Sequence, residues 1–338
     1  RVTISSKNLI VNDAISLDDA ATLDGYNGVK TVTFNLVTDS YSNLTNNSKT
    51  GTNNVNIVGK TVVVDTNTAA ITVQNGEDLE AIVRTNNSGT LTYNKISDDA
   101  DNLSAARTAS GQAADISGKT INITGVTDLD KLATIITNAG AANLVTHGAV
   151  TDSYADLTNA SKTGANNVHI VGKTVTANTS MTLQNGIDLR AIITAGNAGS
   201  LSNTIVNDSA LNFFNAANGG SAYNAANDYT GKTITLDTVA TSTQYATIRA
   251  EVGAANLITG SVSDDRAGFT ADRDLSGASS VTLTLTNATK DLSSHSLDSE
   301  ITVIDMANLS GVKGQLADFS GKTLNNIGDY TIIDTAAN

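Results

Sequence analysis

The strongest constraint on this sequence is a six-residue phrase, apolar-x-Gly-Lys-Thr-apolar, that occurs five times along the chain. The copies lie at residues 57–62, 116–121, 170–175, 229–234 and 319–324. The glycines of the first four copies are 59, 54 and 59 residues apart. A nearly fixed period in this range is typical of stacked repeats, so the phrase predicts a repeat architecture.

Gly-Lys-Thr also ends the phosphate-binding loop, but that loop needs a further glycine five residues before the Gly of Gly-Lys-Thr. The residues at that position are Asn54, Ala113, Asn167, Ala226 and Leu316. All copies therefore fail as nucleotide sites. Apolar residues two before and three after the glycine lie on opposite faces of an extended chain. We interpret each copy as a corner or bulge between two strands. In this interpretation the glycine adopts a backbone conformation that other residues avoid, and the lysine is solvated.

A second phrase, apolar-x-Asp, recurs with the same period. Its aspartates are Asp39, Asp98, Asp152, Asp208 and Asp264, which are 59, 54, 56 and 56 residues apart. We predict that each aspartate ends a strand and caps a short helix by accepting free N–H groups. Apolar spacing predicts a second helix after each Gly-Lys-Thr strand, at residues 78–83, 128–137, 188–194 and 243–252.

A longer period shows that the repeats alternate between two types. Residues 37–62 match residues 150–175 without gaps, and only five of the 26 positions differ. We divide one continuous domain, 1–338, into repeats at 1–36 (degenerate), 37–95, 96–149, 150–205, 206–261 and 262–338 (degenerate). Strands joined by helical crossovers predict a right-handed α/β solenoid with parallel strands and short helices in each coil. The alternative is a β-solenoid, or parallel β-helix, in which the short helices are only turns.

Composition narrows the classes of partner. The chain of 338 residues has a net charge of −13, 4% aromatic residues and no cysteine. The acidity disfavours nucleic acid and anionic membranes as partners, and no apolar run is long enough for membrane insertion. Without cysteine there is neither a disulfide framework nor a thiolate metal site, which suits a secreted protein that folds without oxidation.

Acidic clusters are the best candidates for chemistry in the sequence. One cluster contains Asp98, Asp99 and Asp101, and the other contains Asp264, Asp265, Asp272 and Asp274. Calcium binds six to eight oxygen ligands, several of them carboxylates, so calcium is the cofactor these clusters would take. We take Asp98, Asp99, Asp101, Asp264 and Asp265 as its candidate ligands. The competing interpretation is helix capping on a solvated face, with Arg266 and Arg273 partly neutralising the second cluster.

No catalytic constellation is evident, so we predict that the chain is not an enzyme. The histidines are His147, His169 and His295, and the repeat that matches His169 carries Asn56 instead. The chain also lacks the Gly-x-Ser-x-Gly sequence of a nucleophile elbow. A polysaccharide lyase on a solenoid would need basic and acidic residues in one groove, whereas the 20 basic residues here are scattered.

Residues 333–338 read Ile-Asp-Thr-Ala-Ala-Asn. This phrase, and more loosely the other aspartate phrases, resembles repeats of very large bacterial, often cyanobacterial, secreted surface proteins. Those repeats carry a Val-x-Asp-Thr-Ala-Ala-Asn-type phrase in tandem. The resemblance implies an extracellular, often type I-secreted, structural or adhesive role. The internal copies keep the aspartate but not the rest, as at residues 98–101, so no functional residue carries over.

We expect an extracellular or cell-surface structural repeat protein, such as a segment of a filament, sheath, surface layer or adhesin stalk. The alternative is a glycan-, ice- or calcium-binding solenoid module. Rows such as Thr31-Val32-Thr33 and Thr282-Leu283-Thr284 motivate glycan or ice binding, and the acidic clusters motivate calcium binding. The partner we expect is a second copy of the chain, arranged end to end or laterally, with surface glycans as the other candidate. Bare apolar strands at residues 2–4 and 330–333 predict this association within a longer solenoid.

Overall fold

A computed structural model of the chain describes residues 6–26, 28–67, 69–85, 88–106, 116–196, 199–218, 231–253, 258–269, 273–294 and 297–333. The contacts divide the chain into two compact units, an N-terminal unit, Arg1–Thr151, and a C-terminal unit, Asp152–Asn338. The described residues of each unit form a mixed α/β structure of short strands and short helices.

The strands run in chain order through both units. They are β1 (Lys7–Val11), β2 (Val29–Phe34), β3 (Leu36–Asp39), β4 (Thr61–Val64), β5 (Thr90–Thr92), β6 (Lys95–Asp99), β7 (Thr120–Thr124), β8 (Val126–Thr127), β9 (Val145–Thr146), β10 (Ala149–Asp152), β11 (Thr174–Ala177), β12 (Ser200–Asn203), β13 (Ile205–Asp208), β14 (Thr233–Leu236), β15 (Ile258–Thr259), β16 (Ser261–Asp264), β17 (Ser280–Thr284), β18 (Val303–Asp305), β19 (Val312–Gly314), β20 (Thr323–Asn325) and β21 (Tyr330–Ile332).

The helices lie between these strands, and several are a single turn long. They are α1 (Leu17–Asp24), α2 (Tyr41–Leu44), α3 (Asn47–Thr50), α4 (Val73–Val83), α5 (Ala100–Ala105), α6 (Leu129–Ala139), α7 (Tyr154–Leu157), α8 (Ala160–Thr163), α9 (Leu183–Ile193), α10 (Ala210–Ala217), α11 (Ser242–Val252) and α12 (Leu316–Phe319). Four 3₁₀ segments are described, at Thr52–Asn54, Ala142–Leu144, Ala165–Asn167 and Thr194–Gly196.

All strand pairs recorded within the two units are parallel, as the sequence predicts. In the N-terminal unit β3 pairs with β4, in the register Leu36 to Thr61, and β4 pairs with β5. In the C-terminal unit β16, β17, β18 and β20 form one sheet in that order. Parallel neighbours require a crossover connection, and each crossover here carries helices or turns. The α/β class with parallel strands is therefore confirmed.

Alternate strand residues point into a thin aliphatic core. Val37 and Val62 are register partners in β3 and β4, and neither side chain is exposed. Ile96 and Ile121 repeat this arrangement in β6 and β7. Each such burial contributes about 1.5–3 kcal/mol. Aliphatic contacts between neighbouring strands therefore contribute to the stability of the N-terminal unit.

The predicted second helices exist, but two of them begin earlier than expected. Helix α6 begins at Leu129 after the N-cap Asp128, as predicted. Helices α4 and α9 begin at Val73 and Leu183, five residues before the expected starts. The hydroxyl of the preceding threonine caps each of them, and the apolar-Thr-apolar sequences Ile71-Thr72-Val73 and Met181-Thr182-Leu183 alternate as a strand does.

The glycine of each Gly-Lys-Thr phrase has a left-handed backbone, as the sequence predicts. The φ angles are 72° at Gly59, 71° at Gly118, 71° at Gly172, 78° at Gly231 and 73° at Gly321. The surrounding structure corrects the prediction of a corner between two strands. The described residues before the glycine lie in turns, or at the end of α12 in the last copy, and only the residues after it form a strand. The phrase is therefore a turn that enters a strand.

Candidate functional site

The repeated polar residues of this chain form bonds that join successive crossovers, and the aspartates of the apolar-x-Asp phrase are central to them. Oδ2 of Asp208 accepts the backbone N–H of Leu183, at 3.0 Å and 25 residues earlier in the chain. Oδ1 accepts the N–H of Ser209 at 2.7 Å and the side-chain amide of Asn212 at 2.6 Å. One carboxylate therefore binds at the N-termini of two helices, α9 and α10, where the helix dipole favours negative charge.

The same bond recurs at three other aspartates. Leu17 N–H donates to Asp39 and Val73 N–H donates to Asp98, both at 2.9 Å, and Ser242 N–H donates to Asp264 at 3.1 Å. In each case the helix begins two residues after a residue that forms an isolated parallel β-bridge with a residue of the strand. These bridges pair Ile15 with Val37, Ile71 with Ile96, Met181 with Val206 and Ala240 with Val262. The backbone hydrogen bonds between neighbouring segments end at this bridge. The carboxylate thus accepts the N–H of the first helix residue, two residues further on.

The predicted capping role is confirmed in a modified form. The N-cap of the helix that follows the aspartate is the next residue, as in Ser40, Asp99 and Ser209. The aspartate itself caps the helix of the preceding crossover. An asparagine four residues later supports it, because Asn43, Asn102 and Asn212 donate their side-chain amides to Asp39, Asp98 and Asp208. The sequence prediction missed this asparagine, although Asp-x-x-x-Asn recurs in all three places.

In three of the five Gly-Lys-Thr phrases the backbone N–H of the glycine bonds forward to the next crossover. Gly59 N–H donates to the carbonyl of Val83, which ends helix α4, at 2.9 Å. Gly118 and Gly172 donate in the same way to Ala139 and Ile193, the last residues of α6 and α9. Carbonyls in the last turn of a helix lack intrahelical partners, so these amides satisfy groups that would otherwise need water.

The lysine of the phrase bonds backward, which contradicts its predicted role as a solvated residue. Lys60 Nζ donates to the carbonyl of Phe34 at 2.7 Å and lies 4.5 Å from the centre of the Phe34 ring. Lys322 Nζ donates to the carbonyl of Ile301 at 2.6 Å. Burial lowers the pKa of both lysines below the usual value. In the first copy of the phrase, Gly59 and Lys60 together therefore link three successive segments of chain.

The structure places the first group of candidate calcium ligands at a helix N-terminus. Asp98 and Asp99 accept N–H groups with all four carboxylate oxygens, from Val73, Asp99 and Asn102. Asp101 forms an ion pair with Lys131 at 2.7 Å. The hydrogen bond of Lys131 to Asp101 raises the pKa of Lys131, and its hydrogen bond to Asp128 raises it further. These carboxylates therefore already bind protein donors.

The second group is likewise occupied by protein donors. Asp264 accepts the N–H of Asp265 and both the N–H and the hydroxyl of Ser242. Asp265 accepts the N–H of Gly268 at 3.1 Å. Arg273 donates to Ser242 and to Gly268, so a cation lies within this cluster. Asp272 lies outside the described residues. Over the described ranges, no group of three or more His, Cys, Asp or Glu side chains could hold a metal ion. Calcium binding stays a prediction.

His147 and His169, the two histidines that the structure describes, lie in different structural settings. His147 lies between β9 and β10, and His169 follows the 3₁₀ segment Ala165–Asn167. Burial, with a smaller contribution from Lys173, lowers the pKa of His169. His295 lies outside the described residues. Among the helices that are described, none has the length and apolar character needed to cross a bilayer.

Comparison of the chain with protein-family models, with curated proteins and with solved structures finds no match.

Proposed function

We propose that this chain is a structural repeat protein of the cell surface or extracellular space, built as a right-handed α/β solenoid without catalytic activity. The observation that supports this proposal is the recurrence of one set of bonds. Aspartate links a strand end to the preceding helix, glycine links forward and lysine links backward. The most distinctive repeated residues of the sequence thus serve to hold neighbouring segments of chain together.

The solenoid is the arrangement that these bonds favour. The aspartate bonds span 22 to 25 residues, and the lysine bonds span 21 to 29. Each segment is thus bonded to its neighbours in sequence, which is the contact pattern of stacked repeats. Small-angle X-ray scattering of the purified chain tests this arrangement. An elongated particle is expected, and a scattering profile of a compact sphere would contradict the solenoid.

An extracellular location is supported by the sequence rather than by any site. The chain is acidic, lacks cysteine and ends in a phrase resembling repeats of secreted bacterial surface proteins. Immunogold electron microscopy of the source cells, with an antibody raised against the chain, tests this location. Labelling at the envelope or in extracellular material is expected, and labelling confined to the cytoplasm would contradict it.

Self-association is the interaction that the described surface supports. Strand β21 pairs with β19 in a two-stranded sheet, and its side chains Tyr330 and Ile332 are 43% and 44% exposed. Ile327 and Ile333 extend the apolar surface. An apolar edge strand offers unpaired backbone groups to a strand from another chain. We infer that a second copy of the chain adds to this edge.

Sedimentation velocity over a range of concentrations tests the association. The native chain is expected to form dimers or longer species as the concentration rises, and Ile332→Lys is expected to remain monomeric. Val239→Lys is the matched control, because Val239 is also exposed, at 60%, but lies outside any strand. A native chain that stays monomeric, or an Ile332→Lys variant that associates as the native chain does, would contradict the proposal.

A further inference from the structure

Two helix–strand segments of this chain share one backbone arrangement, yet one has a filled interior and the other a hollow one. The first copy, residues 72–98, and the second copy, residues 182–208, align without gaps. Helices α4 and α9 each follow a threonine N-cap and are eleven residues long. Strands β5 and β12, which come next, pair in the same register with β4 and β11. Differences between the side chains therefore show what has changed on a common backbone.

In the first copy a tyrosine ring fills the space against helix α4. Tyr93 is 5% exposed, and its hydroxyl lies 2.9 Å from the position that a Cβ on Gly76 would occupy. Lys119 Nζ lies over the ring, 4.7 Å from its centre. The glycine thus leaves room for the tyrosine, and the lysine covers one face of its ring.

In the second copy asparagine replaces the tyrosine, and a cavity of about 240 Å³ lies against helix α9. Asn203 aligns with Tyr93, Gly186 aligns with Gly76, and both Asn203 and Gly186 line the cavity. Among the described atoms, a Cβ on Gly186 would meet only the methyl group of Met181, at 3.9 Å. The space that the tyrosine ring occupies in the first copy is therefore open in the second.

The second copy is also more open to solvent at this point. Gly186 is half-buried, whereas the aligned Gly76 is buried. Thr182 lines the cavity and is exposed, whereas the aligned Thr72 is half-buried. A small molecule can therefore enter the cavity at the N-terminal part of helix α9.

The walls of the cavity combine one polar contact with aliphatic side chains. Lys232 donates to Oδ1 of Asn203, so the lysine keeps a partner at this position although the ring is absent. Leu183, Leu201 and Val206 line the cavity, and Leu183 and Val206 are each only 1% exposed. An aromatic ring placed here would contact these aliphatic side chains and remove apolar surface from water.

We propose that this cavity binds a small molecule with a single aromatic ring, of the phenol class. The ring of the ligand takes the place that the Tyr93 ring has in the first copy. An apolar cavity of roughly 150 Å³ already accepts benzene, so about 240 Å³ has room for a substituted phenol. A ligand oriented like Tyr93 places its hydroxyl next to Gly186, where it can bond to water. This site is independent of the proposed structural role.

Equilibrium dialysis with radiolabelled p-cresol, the molecule that corresponds to a tyrosine side chain, tests this site. We expect saturable binding of one p-cresol per chain, with a dissociation constant of about 0.1–1 mM. Cyclohexanol has a thicker ring and should compete at least about tenfold less well. Failure of p-cresol to bind saturably below about 10 mM would overturn the proposal. Equal competition by cyclohexanol would overturn the preference for an aromatic ring.

A variant that fills the cavity separates specific binding from general adsorption. Gly186→Leu places a side chain in the cavity, and it should fold because its Cβ has room and leucine favours a helix. It should weaken binding of p-cresol at least about tenfold. Ala191→Leu, at an exposed position of the same helix, is the matched control and should bind p-cresol as the native chain does. Unchanged binding in folded Gly186→Leu would overturn the proposal.

Exchanging the residues of the two copies tests the origin of the site. Asn203→Tyr restores the ring and should abolish binding, whereas Tyr93→Asn should open a second site and raise the number of p-cresol molecules bound from one to two. Circular dichroism establishes that each variant is folded, and if Gly186→Leu does not fold, Asn203→Tyr decides. Native binding by folded Asn203→Tyr would overturn the proposal. A folded Tyr93→Asn chain that still binds one p-cresol would contradict the role of the absent ring.

Discussion

The carboxylate of Asp208 and the backbone N–H of Leu183 form a 3.0 Å hydrogen bond in which both residues are buried. The N–H group is the first of helix α9, and it has no partner within the helix. The aspartate stands at the end of the neighbouring strand, β13. A strand end and a helix start in adjacent segments therefore depend on a single side chain.

Replacing Asp208 should destabilise the protein more than replacing an exposed aspartate. Asp208→Ala removes the acceptor of Leu183 N–H, Ser209 N–H and the Asn212 amide, and should lower the free energy of unfolding by about 2–4 kcal/mol. Urea denaturation followed by circular dichroism measures the loss. Asp237→Ala, at an exposed site in the same unit, makes the same change of charge and should lie within about 0.5 kcal/mol of the native chain. Equal losses would refute the bridging role.

Gly172 should tolerate side chains only at a conformational cost. Its φ angle is 71°, and a Cβ at this position would meet no described atom within 4 Å, so the penalty is backbone strain rather than overlap. Gly172→Val should cost about 1–3 kcal/mol, and Gly172→Asn less, since asparagine visits the left-handed region. Gly148 has equally open space for a Cβ but has no positive φ, so Gly148→Ala is the control. An unchanged melting temperature for Gly172→Val would show that the strain is absent.

Lys60 should contribute to stability although it resembles a surface lysine in the sequence. Lys60→Met keeps most of the apolar stem but loses the bond to the Phe34 carbonyl and the contact with its ring. We expect a loss of about 1–2 kcal/mol in chemical denaturation. Lys95→Met, at an exposed position of β6, should leave stability unchanged. If the two variants behave alike, the backward link contributes nothing.

His169 should make the C-terminal unit sensitive to mild acid. Burial lowers its pKa below 6.5, so the unfolded chain takes up a proton more readily than the folded chain. The stabilising contribution is complete above pH 6.5 and is lost as the pH falls towards the folded-state pKa. The free energy of unfolding should therefore fall further between about pH 7.5 and about pH 5 in the native chain than in His169→Asn. Asparagine occupies the matching position, Asn56, so the variant preserves the local turn. Parallel pH profiles for the two proteins would contradict the expectation.

The sequence predicts the repeat and the parallel pairing because both depend on local signals. The glycine of each Gly-Lys-Thr phrase marks a left-handed turn, and each aspartate of the apolar-x-Asp phrase follows a buried valine or isoleucine by two residues. The sequence does not predict the starts of α4 and α9, because an apolar residue precedes and follows both Thr72 and Thr182, and this alternation is also typical of a strand. Local patterns decide the elements, but not the contacts between them.

The bonds of the candidate site could not be predicted, because their partners are distant in the sequence. Lys60 reaches a carbonyl 26 residues earlier, and backbone carbonyls carry no sequence signal. Asp98 and Asp99 were predicted as calcium ligands because clustered carboxylates in a sequence do not reveal which N–H groups will face them.

The links from Gly59 forward to Val83 and from Lys60 back to Phe34 also determine how the chain should respond to pulling. Since each link spans only one crossover, tension should release the chain a segment at a time instead of in one cooperative rupture. A segment of about 25 residues extends to roughly 85 Å. The work absorbed should therefore be spread over many small steps instead of one large step.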